Sequence, residues 1–194
     1  MAIKIEEKFQ VPASIDVVWR FMMDPEQVVT CIPGATLEEV VDDRTFLGSV
    51  KIKVGAVSAK YKGQVQFTEI DEAGRSILLA AEGRETGGGM AKGTLSSRLR
   101  SLEDGGTEIE TDASIDLTGR IMQVGRGMIE GVSKQLFQQF VSSTKTRLEV
   151  SAEGGDVAAL PAQTELRILP LLLRTLREAI ARFFRRLFGR SRAT

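Results

Sequence analysis

Few side chains in this chain of 194 residues could do chemistry on their own: it has no histidine and one cysteine, Cys31. Without histidine there is no ordinary general base at neutral pH, no His-activated nucleophile, and the commonest metal ligand is missing. Cys31 cannot form an internal disulfide, and no activating partner stands near it in sequence, so it reads as a small, partly buried side chain. Glycines at 125, 127 and 131 do not have dinucleotide-loop spacing, and they lie inside a helical pattern rather than after a strand. Each costs ~1 kcal/mol there relative to alanine, so close approach of a strand or ligand is the expected compensation. The acidic residues are dispersed along strand faces and turns, with no pair set for acid–base work. Catalytic and metal-binding residues are therefore expected to be none. Tyr61 and Thr111 stand out instead, as polar groups among apolar neighbours that could hydrogen-bond a ligand carbonyl.

The elements that must position them follow from periodicity. Ile3, Ile5 and Phe9 alternate with polar residues as a first strand. Ser14 is a candidate N-cap for a short helix bearing Ile15, Val18, Trp19 and Met22, and Asp24-Pro25 restarts the chain into a second helical turn ending before Pro33-Gly34. Turn signals then separate strands at 35–41, 45–54, 57–70, 76–82, 91–102 and 107–117, close enough in sequence to form an antiparallel meander. Gly87-Gly88-Gly89 reads as a flexible hairpin loop, or as a mobile rim. After Gly119, Ile121, Val124, Met128, Val132, Leu136 and Phe140 share one helical stripe running to about Leu148. Segregated strands and helices of this kind give an α+β, helix-grip arrangement: a seven-stranded curved antiparallel sheet around a long C-terminal helix. The space between them is the default binding site. Tyr61, Gly63, Val65, Phe67, Leu95, Thr111, Ala113, Ile121, Val124, Met128 and Val132 are its expected lining. Small inward residues (Ala59, Gly63, Ala91, Gly93, Ala113, Gly125) should leave that space underfilled.

Charge separates the chain into unlike parts. The totals cancel at 26 basic and 26 acidic, which gives no reason to expect a nucleic-acid partner. Residues 1–160 hold 18 basic and 24 acidic side chains, whereas 161–194 hold 8 and 2. A globular domain is expected over 1–150, a flexible linker over 151–166 and a basic amphipathic segment over 167–194. At ~100° per residue, Leu172, Leu173, Leu176, Ile180, Phe183, Phe184 and Leu187 gather on one stripe, with Arg174, Arg182, Arg185 and Arg186 opposite. A helix with arginines on one face and leucine and phenylalanine on the other lies in a membrane interface rather than across it. The alternative is that the stripe docks on a partner or folds back onto the acidic body. No signal peptide or spanning segment is evident, so a cytoplasmic protein, peripheral on the inner face of the cell membrane, is expected.

Four stretches together carry a resemblance. They are Val18-Trp19 with Asp24-Pro25-Glu26 and Cys31-Ile32-Pro33-Gly34-Ala35; Val50–Gly55 leading into Ala59–Gly63; Ala81-Glu82-Gly83 with the glycines near 88; and Gly119-Arg120-Ile121. In this order the sequence resembles the carbon monoxide dehydrogenase G-subunit (CoxG) family of the START-like/SRPBCC superfamily, over residues 1–149. The resemblance implies a non-catalytic accessory protein that recruits a molybdenum CO dehydrogenase, or a related molybdenum hydroxylase, to membrane lipids. It also implies a cavity carrying a membrane quinone, menaquinone or ubiquinone. The metal, flavin and iron–sulfur centres would lie in other chains of the complex, since one cysteine and no histidine cannot hold them. Two other readings stay open. One is a stand-alone carrier of lipid or another hydrophobic ligand, the other a polyketide aromatase/cyclase-type enzyme of the same fold.

Overall fold

Residues 2–152 are described by a computed structural model. Within them, alternating sequence becomes strand wherever it was expected. The elements run β1 (Ala2–Val11), α1 (Ile15–Met22), α2 (Pro25–Thr30), β2 (Ala35–Val40), β3 (Thr45–Val54), β4 (Val57–Asp71), β5 (Ser76–Glu85), β6 (Met90–Ser101) and β7 (Thr107–Leu117). A 3-10 turn (Arg120–Val124) and α3 (Arg126–Ala152) follow. The strands form one antiparallel sheet in the order β1-β7-β6-β5-β4-β3-β2, so the first strand closes against the last and the meander fills the rest. Register shifts in β2 and β4 bend the sheet, as bulges do. The amphipathic segment expected over 167–194 lies outside the described residues.

Local chemistry fixes the two short helices. The Asp24 carboxylate accepts from the backbone N–H of Glu26 (3.0 Å) and Gln27 (3.1 Å), and Pro25 takes the first turn, where no N–H is needed. Ser14 starts α1 through its backbone carbonyl only, since its side chain makes no cap. A clamp seats α1 on the β4–β5 hairpin: Arg75, in the left-handed region at φ 49°, reaches Asp16 at 2.5 Å and stacks 5.3 Å over the Trp19 ring. The fully buried Thr107 hydroxyl donates to the Ala13 carbonyl at 2.7 Å and ties β7 to the start of α1.

The long helix departs from expectation. Gly119 (φ 87°) and Gly125 (φ 85°) take backbone conformations closed to a helix. The apolar run from Ile121 to Val124 therefore forms its own turn, and α3 begins only at Arg126. The break shifts the phase of the stripe. Ile129 is buried where Met128 was expected, and Met128 is 51% exposed. Gly127 and Gly131 have open space where a Cβ would sit, so nothing described approaches the helix there.

Gly63 is the opposite case. A Cβ at this position would press into the backbone carbonyl of Glu82 and the α carbon of Gly83 on β5, so glycine here lets two strands bend into each other. It was expected to leave cavity volume; its first effect is curvature.

These two glycines give opposite expectations. Gly131→Ala should raise stability by about 0.5–1 kcal/mol, and Gly63→Ala should lower it by about 1–3 kcal/mol through overpacking. Denaturant unfolding of both variants checks this. A neutral Gly63→Ala would contradict the close approach of β4 and β5.

Candidate ligand-binding site

The apolar side chains on the helix-facing side of the sheet do not form one core. One buried cluster gathers Val11, Val18, Trp19, Phe21, Phe46, Phe67, Leu99, Ile109 and Leu148, with Phe140 packed against it. A second gathers Val54, Ala59, Tyr61, Ile121 and Val132, with Val124 and Leu136 against it. Thus α3 touches the sheet through its C-terminal half at one end and its N-terminal half at the other. Between the ends, strand register places Gly63 beside Gly83, and Val65 in line with Ala81, Gly93 and Ile115. The next row is Phe67, Leu79, Leu95 and Ala113. Val65, Ala81, Leu95, Ala113 and Ile115 belong to neither cluster. Val65 is 40% exposed although its neighbours two residues away, Gly63 and Phe67, are half-buried and buried. These apolar, inward-facing residues, outside both clusters, are the candidate wall of a ligand site.

The expected lining therefore divides. Gly63, Val65, Leu95 and Ala113 face inward and lie outside both clusters. Phe67 sits in the first cluster, and Tyr61, Ile121 and Val132 sit in the second, each packed as core. Val124 leans on the second cluster from the 3-10 turn. Met128 turns outward above the Gly55 hairpin turn. Thr111 is buried, and its hydroxyl is engaged with that of Ser97 at 3.2 Å.

The polar end of the site lies at the second cluster. Tyr61 pairs with Glu85 across β4 and β5, so both side chains project inward. Glu85 is buried to 1% of its side-chain surface, and its Oε1 is held by the Arg120 guanidinium at 2.6 Å. Its Oε2 and the Tyr61 hydroxyl have no hydrogen-bond partner. Burial pushes the Tyr61 phenol above its ordinary pKa, and the Glu85 charge adds to this, so it remains a proton donor. The glycine loop is part of this cluster. The Arg120 guanidinium occupies the space a Gly87 side chain would need, and the Gly89 backbone packs against Gly119. Gly87-Gly88-Gly89 is thus a close-fitting cover over Glu85. Glu85 was missed in sequence because the strand was expected to stop at Glu82; counting alternation onward from Ile77 reaches it.

Other features do not compete for the role. A groove of about 780 Å³ crosses the outer face of the sheet, lined by Lys62, Gln64, Gln66, Glu82 and Lys92 among others. The ion pairs Glu38–Lys62 and Glu82–Lys92 border it, and covering them with an apolar molecule would desolvate charges without return. Cys31 is fully buried, and burial pushes its thiol up, while the Thr144 hydroxyl and the Arg147 charge pull the other way. Among the described residues no group of His, Cys, Asp or Glu could hold a metal ion, and no helix is long and apolar enough to cross a membrane.

Comparison with known proteins agrees with this architecture. A conserved protein from Geobacillus kaustophilus superposes with a TM-score of 0.70 at 21% identity, covering 77% of this chain and 97% of that one. The ZhuI aromatase/cyclase from Streptomyces sp. R1128 gives 0.59 at 16% identity, covering 80% and 100%. A START superfamily protein from Mycobacterium smegmatis gives 0.52 at 13%, covering 75% and 97%. At these identities the likeness is one of fold, a START-like sheet around a long helix. No curated protein sequence matches significantly. The family model of the carbon monoxide dehydrogenase G-subunit, CoxG, matches residues 8–149, and the chain belongs to the CoxG family.

Proposed function

We propose that this protein carries a membrane quinone, menaquinone or ubiquinone, in the gap between α3 and the sheet. In this reading it is a non-catalytic accessory of a molybdenum CO dehydrogenase or a related molybdenum hydroxylase, which it holds at the inner face of the cell membrane. One observation carries the first half: the row Val65, Ala81, Leu95, Ala113 and Ile115 faces inward, is apolar, and is left out of both core clusters. About ten buried prenyl carbons at ~0.8 kcal/mol each give roughly 8 kcal/mol before ordering costs, the scale of a micromolar complex. The CoxG assignment supports the enzyme partner. The membrane half rests on the sequence of 167–194, joined to the body over 151–166.

Protein isolated from a quinone-producing host should yield prenylated quinone on lipid extraction and mass spectrometry. Ala113→Phe should fill the gap and cut that yield severalfold. Its overpacking cost of ~1–3 kcal/mol lies within the ~5–15 kcal/mol of an ordinary domain. A wild-type protein free of quinone, and unaltered in melting temperature when quinone is added, would refute carriage.

Attachment is tested separately by flotation with anionic liposomes. The full chain should float, and the chain cut after Ala159 should stay in solution. Replacing Leu176, Ile180 and Phe183 by glutamate should abolish flotation, whereas added salt should only weaken it. Equal flotation of the truncated protein would refute a tail anchor.

A further inference from the structure

We propose that Tyr61 and Glu85 form a head-group site that recognises a ring hydroxyl, so that the protein holds the hydroquinone form of its ligand in preference to the quinone. The inference rests on quinone carriage as proposed above. Its ground is the pair of buried polar atoms without partners, Tyr61 Oη and Glu85 Oε2, at directly paired positions on the inward face of neighbouring strands. Unpaired buried polar atoms are costly to keep in a folded chain and point to a partner that the protein alone does not supply.

The two atoms are complementary in kind. The phenol has a hydrogen to give. The Glu85 carboxylate, neutralised through its other oxygen by Arg120, can only accept. A hydroxyl oxygen satisfies both at once, accepting from Tyr61 and donating to Glu85. A carbonyl oxygen can use only the phenol, and it turns its lone pairs toward a carboxylate. Hydrogen bonds to charged groups are the stronger kind, and the charged acceptor here is open only to a donor. The next inward positions on both strands are Gly63 and Gly83, so no side chain stands between the pair and the apolar residues beyond. Beyond them Val65 and Ala81 begin the apolar row that would take the prenyl chain.

The test uses the full-length chain under anaerobic conditions, with a short-chain probe, 2-methyl-3-prenyl-1,4-naphthoquinone, and its chemically reduced hydroquinone. Calorimetry should show the hydroquinone binding about tenfold tighter than the quinone. The midpoint potential of the bound couple should rise by about 30 mV for each tenfold preference. Glu85→Gln should bring the two affinities to within about twofold, whereas Tyr61→Phe, nearly isosteric, should weaken both forms and leave the hydroquinone preferred. Circular dichroism of each variant establishes that it is folded, and the potential shift in the wild type reads the preference without any substitution. Equal affinity for the two forms, or a preference that survives Glu85→Gln, would overturn the hydroxyl site while leaving carriage intact. Failure of both forms to bind would remove carriage and the site together.

Discussion

The close approach of β4 and β5 at Gly63 and Gly83 sets the bend of the sheet, and that bend decides how much of the inward face one helix can cover. Backbone of the neighbouring strand fills the place a Gly63 side chain would take, and Gly48 and Gly93 are similarly confined by the Thr36 and Ser114 carbonyls. A side chain at any of these points would push strands apart. Bent in this way, seven strands present a concave face to α3, whose N-terminal half packs into one cluster and whose C-terminal half packs into the other. Close packing, the ordinary rule for a domain of this size, gathers the buried apolar residues into two separate clusters.

The two ends are fastened by different physics. At the first, aromatic packing dominates: Phe46 meets Phe67 edge-on at 5.7 Å, and Phe9 meets Phe137 of α3 at 6.1 Å. The Arg75 clamp and the Thr107–Ala13 hydrogen bond then hold the short helices over this end. At the second, a buried carboxylate stands among apolar residues, balanced by one partly exposed arginine on a turn bounded by glycines in left-handed conformations. Breaking such a pair is more costly than making it is favourable, so pairs of this kind serve specificity better than stability. One end gives the domain its stability, and the other gives it a polar feature that a ligand could read.

Strand count, the meander from β2 to β7 and most boundaries were legible in the sequence because alternation and turn residues are local signals, whereas the pairing of β1 with β7 is a long-range contact that no local signal marks. β3 and β7 fall where they were expected, at Thr45–Val54 and Thr107–Leu117. The helix stripe was legible in composition but not in phase. A constant 100° advance assumes unbroken helix, and the left-handed Gly125 resets the count, sending Met128 outward and Ile129 inward. The lining was half legible. Alternation finds the inward face, yet it cannot say which inward residues a helix will cover; that is why Phe67 and Val132 joined the clusters while Val65 and Leu95 stayed outside. Glu85 was hidden by a strand boundary placed three residues early, and its partner Arg120 by a sequence separation of 35 residues.

The central claim is that the inward apolar row is a quinone site created by the split core. A crystal structure of the full chain saturated with a short-chain prenylated naphthoquinone tests it most directly. The account predicts the prenyl chain against Val65, Leu95 and Ala113 beneath α3, with the ring toward Tyr61 and Glu85 and both core clusters unchanged. Quinone bound in the polar groove on the outer face, or a gap closed by inward collapse of Leu95 and α3, would contradict it.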